Sequence, residues 1–169
     1  MSSMPPGRGD DEASPTQYLT FSLRDEVFAM DIRTVREIIQ HGAMTEVPLM
    51  PEFVRGVINL RGAVVPVIDL QSRFGRERAV LGKKTCVIIF DTSAGDEKVA
   101  LGLMVDSVSE VIDIWDAQIE APPQFGASIK RDFIRGMGKV GGEFIVILEP
   151  DRALNIEEMA LLAEQEQVV

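Results

Sequence analysis

The chain has little of what most protein chemistry is built from. It contains one cysteine, Cys86, and one histidine, His41, in 169 residues. A lone cysteine rules out an internal disulfide and a cysteine-built zinc site, and a lone histidine rules out a multi-histidine metal centre. The apolar neighbours Val87, Ile88 and Ile89 mark Cys86 as a buried structural thiol, and Gln40-His41-Gly42 reads as a turn. There is no Gly-x-x-x-x-Gly-Lys-Ser/Thr phosphate loop and no Gly-x-Ser-x-Gly nucleophile elbow; the glycines at 136, 138, 141 and 142 lack the helix a phosphate loop needs. Basic side chains are also in deficit, 17 against 27 acidic for a net charge of −10, which disfavours nucleic acid and anionic lipid as partners. The longest apolar runs, such as Cys86 to Phe90, are too short to cross a bilayer, and no charged-then-apolar leader opens the chain. These absences point to a cytoplasmic protein without cofactor, metal or direct membrane insertion. None of them alone excludes an enzyme, yet every usual catalytic constellation is missing.

What is present suffices for a core. Hydrophobic residues make up 46% of the chain and charged residues 26%, a balance that folds. Residues 1–15, rich in Ser, Pro, Gly and acids, have almost nothing to bury and read as a flexible tail. The most informative stretch is 53–70. Two apolar β-branched runs, Val57-Ile58 and Val64 to Ile68, flank Asn59-Leu60-Arg61-Gly62, which predicts a hairpin with Arg61 at its tip and Gly62 free to take a positive φ. Pro66 cannot donate a ladder hydrogen bond and predicts an edge or a bulge.

Around this hairpin, Tyr18 to Leu23 and Val27 to Ile32 read as a further hairpin, and Thr34 to Gln40 fits either a helical turn or a strand. Pro51 is placed to start a short turn through Phe53, Gln71 to Gly75 reads as a brief helix closed by glycine, and 75–84 as a loop. Strands are expected over Thr85 to Phe90, Val99 to Val105, Val108 to Trp115 and Phe144 to Leu148. A helix capped by Asn155 follows, with Ile156, Met159, Ala160 and Ala163 as its apolar stripe. Asp113 and Asp116 flank the single Trp115 at the exit of a strand, which leaves the indole either packed between subdomains or exposed as a contact.

An internal repeat organises these pieces. Phe53-Val-Arg-Gly returns as Phe133-Ile-Arg-Gly 80 residues on, and the same spacing pairs Gly62 with Gly142, Val65 with Ile145 and Asp69 with Glu149. Val35-Arg-Glu-Ile-Ile echoes Val108-Ser-Glu-Val-Ile at 73, and Phe21 pairs with Phe90 at 69. Order is kept across three blocks, so two tandem β subdomains, closed or nearly closed to hide their edges, are expected.

The string 55–70, Arg-Gly-Val-Ile-Asn-Leu-Arg-Gly-Ala-Val-Val-Pro-Val-Ile-Asp-Leu, closely resembles the signature of the bacterial chemotaxis coupling proteins of the CheW family. The resemblance extends over roughly 17–162. It implies a mainly β fold of two five-stranded, SH3-like barrels side by side over 16–154, with a C-terminal helix and tail over 155–169. It also implies an adaptor without catalysis, recruited to membrane-associated arrays, that joins the cytoplasmic hairpin tip of a chemoreceptor to the regulatory domain of a chemotaxis histidine kinase. The family's receptor-binding face maps onto Val35, Glu37, Gly56 and Arg61, with Val87 and Ile88 as further positions; the kinase-binding residues are not indicated. From the residues alone, Val35 fits the core equally well, Gly56 fits a close backbone approach, and Glu37 with Arg61 would form an ion pair if the first barrel brings them together. Two other readings remain open: a CheW-like paralogue of another chemosensory pathway, and a small-molecule sensor using a pocket between the barrels.

Overall fold

The structure, a computed structural model, describes residues 14–40, 44–48, 50–73, 77, 79–94, 97–121 and 134–150. The expected tail up to residue 13, His41, and the expected helix over 155–169 lie outside these.

Among the described residues eleven strands form two sheets: β1 Thr16–Leu23, β2 Glu26–Asp31, β3 Val35–Gln40, β4 Val54–Leu60, β5 Ala63–Asp69, β6 Cys86–Ala94, β7 Glu97–Val105, β8 Ser107–Ile114, β9 Ile119–Glu120, β10 Ile134–Val140 and β11 Glu143–Leu148. A short helix, α1 Leu70–Arg73, follows β5. The ambiguity over 34–40 resolves as a 3-10 turn at Ile32–Thr34, capped by the Asp31 carboxylate accepting from the Arg33 N–H, and then β3.

One sheet runs β3-β6-β7-β5-β4 and the other β8-β1-β2-β11-β10-β9. Each curls until its edges meet. Beyond β3 the chain returns at Thr45, which exchanges two backbone hydrogen bonds of 2.8 Å with Val57 of β4. Beyond β8, the 3-10 turn Asp116–Gln118 leads into β9, which pairs with β10. The sixth strand of the larger sheet is therefore the continuation of β8, and each unit is a five-stranded barrel whose third strand bends to touch both neighbours.

The two repeats do not fold separately. The first hairpin of each lies in the other's sheet: β1-β2 sits between β8 and β11, and β6-β7 sits between β3 and β5. The apolar residues divide accordingly. Tyr18, Ala29, Ile114, Ile145 and Ile147 fill the barrel containing β1. Ile58, Val65, Val67, Ala79, Val87, Ile89 and Met104 fill the other. The largest cluster lies between the sheets, where Phe21 stacks on Phe28 with ring centroids 6.0 Å apart among Leu23, Met30, Phe53, Ile88, Phe90 and Leu103. Asp106, between β7 and β8, ties this junction by accepting from the Arg24 N–H at 2.8 Å and the Gln71 side-chain amide at 3.3 Å.

Pro66, expected at an edge or a bulge, lies on the interior strand β5, next to the register shift of β4 between Val54 and Gly56. The hydrogen bonds of Val57 point to Thr45, so the Val57–Pro66 pair is a non-bonded one, and the parallel pairing of β5 with β7 starts only at Val67. The missing N–H therefore leaves no ladder bond unmade.

Candidate functional site

The β4-β5 hairpin turns on Arg61 and Gly62, with φ of 53° and 88°. Positive φ at both central residues makes this the two-residue turn whose twist matches the flanking strands. Asn59 steadies it, its side-chain oxygen accepting from the Gly62 N–H at 3.1 Å. The corresponding turn of the other barrel uses Gly141 and Gly142, φ 60° and 83°. Where one repeat has glycine, the other holds an arginine in the left-handed region, at a cost of about 1–2 kcal/mol.

Barrel closure carries the Arg61 tip to β3. Its Nη1 donates to Glu37 Oε2 at 2.7 Å, across the seam where the sheet meets itself. The arginine is 70% exposed and the glutamate 27%. The carboxylate raises the Arg61 pKa above its ordinary value, chiefly through the hydrogen bond. An exposed pair of this kind adds little to stability and does not offset the turn strain. The arrangement displays a fixed guanidinium with free donors to solvent. Two apolar side chains nearby in sequence are also exposed: Val64 on β5, and Ile38 on β3, which the alternation along Val35–Gln40 turns to the face opposite Glu37.

The other expected positions do not present side chains beside this pair. Val35 is partly buried against the inter-sheet core. Gly56 is buried where the chain passes Thr45, and an added Cβ would collide with the Thr45 carbonyl oxygen and stand 2.9 Å from Met44 Cγ. Val87 and Ile88 are both fully buried, Val87 inside the barrel and Ile88 between the sheets. A strand covered on both faces offers a partner nothing to touch, so these residues can act only by supporting β3, with which they pair.

A second, buried ion pair lies at the other end of the hairpin, where Arg55 Nη1 donates to Asp69 Oδ2 at 2.9 Å. Trp115 is half-buried at the end of β8, its backbone N–H donating to the Gln118 side-chain oxygen at 2.7 Å, in keeping with the strand-exit reading. Tyr18 is buried in its barrel and its hydroxyl has no hydrogen-bond partner among the described residues; burial pushes the phenol pKa up, opposed by the Arg135 charge. Among the described residues no three His, Cys, Asp or Glu groups converge to hold a metal, and no helix is long and apolar enough to cross a membrane.

Residues 17–158 match the family model of the CheW-like domain. The chain is 32% identical over 146 residues to "Chemotaxis protein CheW" of Klebsiella aerogenes, covering 86% of each chain. It is 27% identical over 158 residues to "Protein FrzA" of Myxococcus xanthus, covering 93% of each. Among solved structures it resembles the scaffolding protein TtCheW of Thermoanaerobacter tengcongensis, with a TM-score of 0.71 and 38% identity over 80% of this chain and 89% of that one.

Proposed function

Because the chain belongs to the CheW-like domain family, we propose that it is a non-catalytic chemotaxis adaptor that couples a chemoreceptor's cytoplasmic hairpin tip to the regulatory domain of a histidine kinase. The observation that carries this reading is Arg61. A positively charged side chain is held in a strained turn, where the twin barrel has Gly141, and is steadied by one exposed carboxylate. A guanidinium fixed in this way suits a docking site for an acidic helical partner. The receptor helices dock along the β3 seam, with their carboxylates competing with Glu37 for Arg61. Each contact is of moderate affinity, and arrays gain stability by multivalency.

Binding of the full chain to a receptor cytoplasmic fragment and to a kinase regulatory domain, measured separately by titration calorimetry, tests the reading. Both should bind, and Arg61→Ala should weaken receptor binding by roughly tenfold or more with the fold intact. Unchanged receptor affinity in Arg61→Ala would remove Arg61 from the site. A second reading is the same adaptor chemistry in another chemosensory pathway, since the chain is also similar to a relative whose name is not that of a chemotaxis protein, "Protein FrzA". Preference for receptors of one pathway over another, in the same titration, separates the two.

A further inference from the structure

Where the two sheets meet, the backbone is pinned around a small polar cleft that the docking of a receptor does not use. The cleft has a volume of about 220 Å³ and is lined by Arg24, Gln71, Glu77, Ala79, Val80 and Asp106. Arg24 comes from the β1-β2 turn of one sheet, Gln71 from α1 behind β5 of the other, and Asp106 from the link between β7 and β8. The buried Asp69 carboxylate fixes one wall: Oδ1 accepts from the Gln71 N–H at 3.0 Å and Oδ2 from the Ala79 N–H at 2.8 Å. Arg55 Nη1 completes this wall, donating to Asp69 Oδ2 at 2.9 Å and to the Ala79 carbonyl at 2.8 Å. Asp106 fixes the other, its N–H donating to the Ser22 carbonyl at 3.0 Å and its Oδ2 accepting from the Arg24 N–H at 2.8 Å. A cleft held in this way is formed before anything enters it.

The groups that line it are only partly used by the protein itself. Gln71 is 3% exposed, and its Nε2 donates to Asp106 Oδ1 at 3.3 Å. A carboxylate only accepts, so this contact fixes the orientation of the amide, and Oε1 is left receiving no hydrogen bond among the described residues. A buried acceptor without a partner marks a place for a donor from outside the chain. The side chains of Arg24 and Glu77 are exposed and form no ion pair among the described residues. One guanidinium, two carboxylates and an amide oxygen thus line a single cleft, with Ala79 and Val80 as its apolar side. A simple anion would meet the two carboxylates, and an apolar molecule would leave every charge unpaired. A molecule that carries an ammonium and a carboxylate together satisfies both signs. The volume is below that of a drug-sized pocket, which limits the ligand to a small metabolite.

We propose that this cleft binds the zwitterion of a free α-amino acid. Its ammonium donates to Gln71 Oε1 and is balanced by the Glu77 and Asp106 carboxylates, its carboxylate lies on the Arg24 guanidinium, and its side chain rests on Ala79 and Val80. Titration calorimetry and thermal unfolding of the full chain with the common L-amino acids, one at a time in the millimolar range, test this. At least one should bind and raise the melting temperature. Its des-amino acid and its decarboxylated amine, each lacking one of the two charges, should bind about tenfold more weakly or worse. Glu77→Gln and Arg24→Asn, the latter a residue that tolerates the left-handed turn at φ 51°, should each weaken binding by about the same factor. Circular dichroism should show both variants folded; if Arg24→Asn is not, Glu77→Gln decides alone. Arg61→Ala, at the far end of β5, should bind the amino acid as the wild type does. Failure of every amino acid to bind would overturn the inference. So would equal affinity for a single-charge analogue, or wild-type affinity in the folded cleft variants.

Discussion

Arg61 and Gly141 occupy equivalent turns with φ of 53° and 60°, and only one of them has a side chain to strain. Arg61→Gly therefore separates the two roles of the position. It relieves the left-handed strain of about 1–2 kcal/mol and loses only a solvent-exposed ion pair that adds little to stability. The melting temperature should hold or rise while receptor binding falls as in Arg61→Ala, and calorimetry of both variants checks this. A second prediction concerns Tyr18. Its hydroxyl is buried without a partner among the described residues, at a cost of about 1–3 kcal/mol, so Tyr18→Phe should stabilise the protein at neutral pH, as read from denaturant unfolding. Because the folded state disfavours the phenolate, ionisation of Tyr18 carries no penalty below the unfolded pKa of about 10, and stability falls as pH rises beyond that. The alkaline loss should be absent in Tyr18→Phe. Tyr18 is the only tyrosine, so the phenolate absorbance band reports this group alone.

At the scale of elements, the strands follow from apolar alternation and the hairpins from their turn residues, and most are legible along the chain. The seams are not. Gly56 and Gly136 stand at equivalent places in β4 and β10, each where the bent strand passes closest. A Cβ at Gly136 would come within 2.6 Å of Ile119 Cγ2 and 2.9 Å of the Glu120 carbonyl oxygen. Gly56→Ala should destabilise by about 1–3 kcal/mol through this overpacking. It should also weaken receptor binding, because the Thr45 bridge and the Arg61–Glu37 pair close the same barrel. Chemical denaturation and receptor titration of one variant check both. Val87 and Ile88 mark the limit of strand reading. A continuous apolar run looks the same whether one or both faces are covered, and here one side chain points into a barrel and its neighbour into the inter-sheet core.

For the molecule as a whole, the exchange of first hairpins decides how it unfolds. Neither barrel can lose its partner's hairpin and stay closed, so the two must melt together. Amide exchange in β1 and in β6, one in each sheet, should reach the same limiting opening free energy, and Trp115 fluorescence should follow the loss of β-sheet circular dichroism in a single transition. Two separated transitions would show that the sheets are independent units. The acid-rich composition with a single histidine and a single cysteine, the repeat and the Arg61 turn can be read along the chain. They determined the fold class, two barrels of like design, and the tip at which one arginine is displayed. Which repeat completes which barrel, which carboxylate meets Arg61, and which apolar residues stay exposed were decided only in three dimensions. Those outcomes depend on pairings between strands far apart in sequence, where burial of the large inter-sheet core outweighs any preference encoded within a single strand.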